Sequence, residues 1–277
     1  MRDRIPLPPF VSSEVETRGR GAGRLSTSLE ANGLGLKGRL ADVTLSLRPG
    51  EVTAICGPNG AGKSSLIACL AGLVAPDAGV VVLGGEPLAK VPPAERARRI
   101  GFLPQSPEVA WDVAVEVLVS LGRLPWKGAP TGEAQAAIDE AIAVMDLEQF
   151  RHRPVSRLSG GERARALMAR VLATRPSWLL ADEPLANLDL AHAASLLHRL
   201  RDQAAPGPQG GRGVVLVLHD LAMAMNHADR VIVLDRGRVV ADGAPAEALS
   251  IEVIGAVWGV RAQWLGEPGA MALAVTG

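Results

Sequence analysis

An excess of charge of either sign is missing from this sequence. Its 277 residues carry 29 lysines and arginines against 29 aspartates and glutamates, a formal net charge of zero. The basic residues are mostly arginine and are spread along the chain, so the electropositive footprint of a nucleic-acid binder is absent. Cysteine is scarce too. Cys56 and Cys69 stand at a spacing unlike a metal or redox motif and read as small packing residues in a reducing compartment. No uninterrupted apolar run approaches the roughly 18 residues that span a bilayer, and the first residues lack the apolar core of a secretory leader. The chain is therefore expected to be soluble, reaching a membrane only through a partner. Tyrosine does not occur, and Ala31 to Gly50 holds no phenylalanine or tryptophan. Tandem repeats, heptads and long coiled-coil stretches are likewise missing.

What is present suffices for one large domain: 48% of the residues are hydrophobic. Residues 1–25, rich in Arg, Gly, Pro and Ser, read as a mobile extension. Asp42 to Leu47 alternates apolar and polar residues like a strand, and Val80 to Leu83 reads as another before Gly84-Gly85. From about Gln105 to Leu158 the pattern is mainly helical, with amphipathic segments at Val113–Leu121 and Glu133–Met145 around a Gly/Pro-containing loop, Gly122 to Gly132. Beyond it, Glu162 to Ala173 reads as a helix, and Trp178–Ala181 and Val214–Leu218 as buried parallel strands. Val231 to Val240, turning at Asp235-Arg236-Gly237, reads as a hairpin. The outcome is an α/β protein with a parallel-sheet core and a helical insertion.

Three motifs carry chemistry. Gly57-Pro58-Asn59-Gly60-Ala61-Gly62-Lys63-Ser64 follows the apolar run Val52–Cys56 and precedes a helix-like segment starting at Ser65. That is the setting of a P-loop, whose backbone N–H groups and helix N-terminus cradle phosphate. These residues, with Ser65, are assigned to a nucleoside triphosphate. Lys63 reaches the β- and γ-phosphates, and the Ser64 hydroxyl ligates Mg²⁺. In the second motif, Trp178 to Pro184, an apolar strand delivers Asp182 to the Mg²⁺ shell and Glu183 to its C-terminal edge. Adjacent carboxylates can divide the work, one holding metal and one polarising the attacking water. An Asp-Glu-Pro turn closing a strand is ordinary alone; its order after the P-loop gives it meaning. The third, Leu158-Ser159-Gly160-Gly161-Glu162, offers another anion-binding helix N-terminus. Ser159 and Glu162 have capping-box spacing, and that cap is what aims the donors.

These motifs occur, together with Phe102-Leu103-Pro104-Gln105, Ala186-Asn187-Leu188-Asp189 and Leu218-His219-Asp220, in the order of the ATP-binding subunits of ABC transporters. The resemblance spans roughly residues 28–265. It implies a P-loop NTPase of the ABC type over residues 26–277: parallel-sheet core, N-terminal antiparallel β subdomain, and a helical subdomain inserted at about 105–165. It further implies that Gln105 links Mg²⁺ and the attacking water to that subdomain. Glu183 is the general base, His219 contacts the γ-phosphate, and Asp189 lies in a loop communicating between subunits. The family geometry is a head-to-tail dimer, with Ser159, Gly160 and Gly161 of one copy closing ATP onto the other copy's P-loop. Such a protein sits on the cytoplasmic face of the membrane, docked on permease subunits.

Val113 to Pro125, with its "V…V…GR-P" pattern, resembles the branch that imports ferric siderophores, haem and vitamin B12, as do Pro245–Leu249 and Val257–Val260. In that branch an extracytoplasmic binding protein delivers the cargo. An exporter ATPase shares the same catalytic motifs. ABC ATPases acting on DNA or ribosomes fit less well, for want of coiled coils, a second nucleotide domain or basic charge.

One departure concerns the base. The family places an aromatic upstream of the P-loop to stack on adenine; here Leu36 stands near that position. Stacking is worth about 1–3 kcal/mol per base in nucleic-acid complexes, so base discrimination is expected to be weak. Steady-state hydrolysis of ATP and GTP should run at comparable kcat/KM. A strong ATP preference that survives Leu36→Ala would refute this.

Overall fold

Four short apolar runs, each too brief for an independent helix, form the buried strands on which the rest is arranged. The computed structural model describes residues 28–106, 112–128, 130–186, 188–205 and 211–276. The extension expected over residues 1–25, and Asn187 of the Ala186–Asp189 motif, lie outside the described residues.

Along the chain, β1 (Leu29–Leu36), β2 (Leu40–Leu47) and β3 (Val52–Cys56) lead through the P-loop into α1 (Lys63–Leu70). Next come β4 (Ala78–Leu83), β5 (Glu86–Pro87), α2 (Pro93–Arg99) and β6 (Ile100–Leu103). The helices α3 (Val115–Ser120), α4 (Thr131–Val144) and α5 (Gly160–Leu172) follow, then β7 (Trp178–Asp182), α6 (Leu190–Ala204) and β8 (Gly213–Val217). The last elements are α7 (Leu221–His227), β9 (Arg230–Asp235), β10 (Arg238–Gly243), α8 (Pro245–Ala248), α9 (Ile251–Trp258), β11 (Arg261–Leu265) and β12 (Ala272–Thr276).

The main sheet has the order β10-β9-β3-β8-β7-β6, parallel except for β10. Every residue of β3, β7 and β8 is buried, as expected of strands covered on both faces. Alternate residues serve two cores. Val52, Ala54 and Cys56 pack with α5, α6 and the inserted helices, whereas Ile55, Trp178 and Leu180 pack with α1 and the small sheet. That small antiparallel sheet, β2-β1-β4-β5, lies at the N-terminal end. It is tied to the P-loop through the β9–β10 turn, where Gly237 N–H donates to the Ala61 carbonyl (2.9 Å) and its own carbonyl accepts from Ala41 N–H (2.8 Å).

Two expectations need correction. The stretch Gly122–Gly132 is not a plain loop: Leu121–Trp126 is a 3₁₀ helix with Gly122 and Arg123 buried. Pro125 prevents an α-helix from continuing, and Gly122 allows an approach in which a Cβ would lie 2.0 Å from the Arg170 carbonyl oxygen. The helix expected from Glu162 begins at Gly160. At Gly213, opposite Trp178 in the β7–β8 pair, an added Cβ would meet the Trp178 ring at 2.2 Å. Gly213→Ala should therefore cost about 1–3 kcal/mol by overpacking, seen as a lower urea midpoint with an unchanged m-value.

Candidate nucleotide-binding site

Register assembles the site. Ile55 of β3 and Asp182 of β7 both lie opposite Val217 of β8. The residues just past three adjacent strands therefore emerge side by side: Gly57 one residue after β3, Glu183 one after β7 and His219 two after β8. Ligands bind beyond the carboxyl ends of strands in such sheets.

The P-loop turns through left-handed backbone at Gly60 (φ 78°) and Gly62 (φ 102°), and α1 starts at Lys63. At Gly62 a Cβ would lie 2.5 Å from the Arg39 carbonyl, so only glycine fits between the P-loop and the β1–β2 turn. Lys63 is buried and donates to the carbonyls of Gly57 (2.8 Å) and Pro58 (3.0 Å). Burial lowers its ammonium pKa, against the raising influence of Glu183, Cys56 and Asp182.

Asp182 is 6% exposed, and its Oδ1 has no hydrogen-bond partner. Burial raises its carboxyl pKa; a hydrogen bond with Ser64 acts in the opposite sense. A buried carboxylate oxygen without a partner, beside a serine hydroxyl, fits the hard-oxygen coordination that Mg²⁺ prefers. Glu183 adopts φ 53°, a costly conformation for a non-glycine residue. Its carboxylate is held from two sides: Gln105 Nε2 donates to Oε2 (2.7 Å), and His219 Nε2 meets Oε1 (2.5 Å). Asp220 beside His219 caps α7, accepting from the N–H groups of Ala222 (2.8 Å) and Met223 (3.1 Å).

Asn59 to Ser65, Gln105, Glu183 and His219 line one cleft of about 590 Å³, together with Arg39. Leu36, Lys37 and Arg39 line an adjoining groove with Ser64, Ser65 and Val74. Leu36 lines a groove beside the P-loop cleft, and among the described residues no aromatic lines it. The pattern did not single out Arg39; its only signal was the Lys37-Gly38-Arg39 turn.

Ser159, Gly160, Gly161 and Asp189 do not line the cleft. The capping box is formed: Ser159 Oγ accepts from Glu162 N–H (3.3 Å), and Glu162 Oε2 accepts from Ser159 N–H (2.8 Å). Ser159 and Gly160 are exposed, so the donors of α5 face outward. Asp189 caps α6, and its carboxylate lies 2.7 Å from His192 Nδ1. The hydrogen bond from the His192 backbone, with its ring contact, lowers the Asp189 pKa. The His192 ring also lies against Gly161, where a Cβ would be 3.0 Å from Cδ2. Sequence pattern missed this contact between two motifs. Cys56 and Cys69 are free and buried, and burial pushes the Cys56 thiol up to about 12, so it stays protonated and inert.

A P-loop, an acidic pair closing a strand, and a His and a Gln that both contact its glutamate around one cleft mark the chain as a P-loop nucleoside triphosphatase. Comparison with known proteins gives the family. The ABC transporter family pattern matches residues 40–186. The hemin import ATP-binding protein HmuV of Streptomyces coelicolor is 43% identical over 255 residues, covering 92% of this chain and 87% of that protein. Its counterpart in Rhodococcus jostii is 42% identical over 239 residues, 84% and 80% of the two chains. The structure of cbiO1 from Clostridium perfringens, part of the ABC transporter complex cbiONQ, has a TM-score of 0.73 at 26% identity, covering 82% of this chain and 92% of that one. A putative metal-chelate type ABC transporter in an inward-facing conformation shares the fold, with a TM-score of 0.75 at 24% identity over 90% and 96% of the chains. The chain belongs to the ABC transporter family, as an ATP-binding subunit that hydrolyses ATP.

A raised carboxyl pKa carries a sign. Between the unfolded aspartate value of about 3.9 and the raised folded value, the native state holds the extra proton, so stability falls as pH rises through that window. Asp182→Asn removes this penalty. Without nucleotide, the variant should melt at or above the parent's temperature at pH 7, with the difference vanishing below pH 4. Mg²⁺ with ATP should reverse the order by stabilising the parent more. Differential scanning fluorimetry across pH checks both.

Proposed function

We propose that this chain is the motor of a bacterial importer for a metal chelate, with haem the cargo its relatives' names favour. It works as a head-to-tail homodimer on the cytoplasmic face of the membrane, docked on permease subunits. An extracytoplasmic binding protein feeds the permease. The convergence of Gln105 and His219 on the Glu183 carboxylate, beside the P-loop, carries the catalytic assignment.

Gly57 to Ser65 wrap the phosphates, and Lys63 exchanges its contacts with the Gly57 and Pro58 carbonyls for phosphate oxygens. Ser64, Asp182 and Gln105 would hold Mg²⁺, which when bound would neutralise the charge of the phosphates. Glu183 accepts a proton from the attacking water. His219 contacts the γ-phosphate, and its present hold on Glu183 supports that placement. Ser159, Gly160 and Gly161 serve the partner copy's nucleotide, in keeping with the exposure of Ser159 and Gly160 and with the fact that none of the three lines the cleft of their own chain. Asp189 follows from the same dimer. ATP binding closes the two copies, and hydrolysis releases them.

The helical insertion receives the permease. Val117, Leu121 and Leu124 support this reading: at 47%, 36% and 56% exposure, they form an apolar stripe on α3 and the 3₁₀ turn after it.

Glu183→Gln should bind ATP, dimerise and hydrolyse at least about 100-fold more slowly, the scale of general-base catalysis. Lys63→Ala should lose ATP affinity. Near-native turnover by Glu183→Gln would remove the general-base role. Purification from the native membrane, followed by mass spectrometry, should recover a permease encoded with a haem-binding partner; an exporter instead would overturn the direction of transport.

A further inference from the structure

We propose that Gly122, Arg123 and Trp126 clamp the C-terminal end of α5 and so fix where its N-terminal end presents Ser159, Gly160 and Gly161. Arg123 and Trp126 are, on this view, positioning residues for the ATP-driven dimer. The inference rests on the two-copy reading above and adds what aims the donors.

α5 has 13 residues. Its last carbonyls lack intrahelical partners, and its C-terminus carries partial negative charge. The Val171 and Leu172 carbonyls accept from the N–H groups of Thr174 (3.2 Å) and Arg175 (2.8 Å), and the segment Leu121–Trp126 takes the next two carbonyls, those of the C-cap Ala173 and of Thr174, while setting a guanidinium at the negative end of the helix. Arg123 Nη1 donates to the Ala173 carbonyl (3.0 Å), Trp126 Nε1 to the Thr174 carbonyl (2.9 Å), and Thr174 Oγ1 back to the Gly122 carbonyl (2.9 Å). Gly122 lies so close to the Arg170 carbonyl that any side chain would push the segment off the helix. Two guanidinium groups lie over the Trp126 ring, Arg98 at 4.9 Å and Arg123 at 5.0 Å from its centroid. Arg98 belongs to α2 and its Nε donates to the Pro125 carbonyl (2.8 Å), so the clamp is anchored on the element leading into β6 and Gln105.

Arg123 is an expensive way to fill this space. It is 7% exposed, and its Nε and Nη2 have no hydrogen-bond partner; Glu133 Oε1 lies 3.7 Å from Nη2. An apolar side chain would bury more cheaply, but it could not grip a carbonyl. Leverage makes the grip matter. A helix of this length is about 20 Å long, so a tilt of about 10° at one end moves the other by about 3 Å. Hydrogen bonds to phosphate tolerate only a few tenths of an ångström. The same segment turns Leu121 and Leu124 outward, so a load on the permease-facing stripe passes directly into the clamp.

The test uses the full chain carrying Glu183→Gln, in which ATP-driven dimerisation is read by light scattering without turnover. Adding Arg123→Ala should raise the ATP concentration for half-dimerisation at least 10-fold. Trp126→Phe, which keeps the ring but loses the N–H, should raise it about 3-fold, and Arg123→Lys should recover part of the loss. Affinity of the P-loop for a fluorescent ATP analogue, measured at protein concentrations too low for dimerisation, should stay within 2-fold. Unchanged dimerisation in both variants would overturn the inference. So would a parallel loss of analogue affinity, which marks a general structural role. If Arg123→Ala does not fold, Trp126→Phe decides. Failure of the two-copy reading looks different: Glu183→Gln would stay monomeric with ATP while the clamp is intact.

Discussion

The register of three parallel strands is the constraint on which the site depends. Because Ile55, Val217 and Asp182 lie in one row across β3, β8 and β7, the residues that follow them leave the sheet at the same height. A slip of one residue would do more than shift Glu183. Side chains alternate faces along a strand, so the two hydrophobic cores would also exchange their contents, with Leu179 and Ala181 taking the place of Trp178 and Leu180. Core burial and site geometry are therefore specified by the same pairing. The glycine at 213, cut away for the Trp178 ring, locks that pairing at its start.

The polar groups at the strand ends are arranged at a cost. Lys63 is buried on backbone carbonyls, Asp182 has an oxygen with no partner, and Glu183 is held in left-handed backbone. Each is an incomplete solution to burial. Together they leave polar groups that a phosphate chain and a cation, as proposed above, would complete. Gln105 and His219, drawn onto Glu183, occupy that carboxylate meanwhile. On that proposal, the affinity for nucleotide includes relief of strain and desolvation that the fold imposes beforehand.

How much of this the sequence disclosed follows from the range of the interactions. The P-loop, the Asp182-Glu183 pair and the capping box at Ser159 are legible because each is built within at most eight consecutive residues. So are β7 and β8, uniformly apolar because both faces are covered. β1 was not read as a strand, since Gly33 and Gly35 break its alternation where the pairing with β2 and β4 is irregular. α2, with no buried residue, offered no apolar face. The β11–β12 hairpin depends on a distant partner, the Asn226 amide, which pairs with both backbone groups of Met271 at 2.8 Å. Arg39 and His192 gained meaning only when the fold placed a turn over the P-loop and α6 beside α5.

The segment Leu121–Trp126 shows the same limit from the other side. Glycine, proline and an arginine suggested a loop, because each alone disfavours regular structure. In the fold each answers a separate demand: closeness at Gly122, charge on a helix C-terminus at Arg123, and an end to the α-helix at Pro125. What binds them is α5, whose other end carries outward-facing donors with no ligand in their own chain's cleft. A helix fixed at one end and unfinished at the other is suited to complete a site elsewhere. The accuracy of that completion is set at the fixed end, a helix length away from the nucleotide.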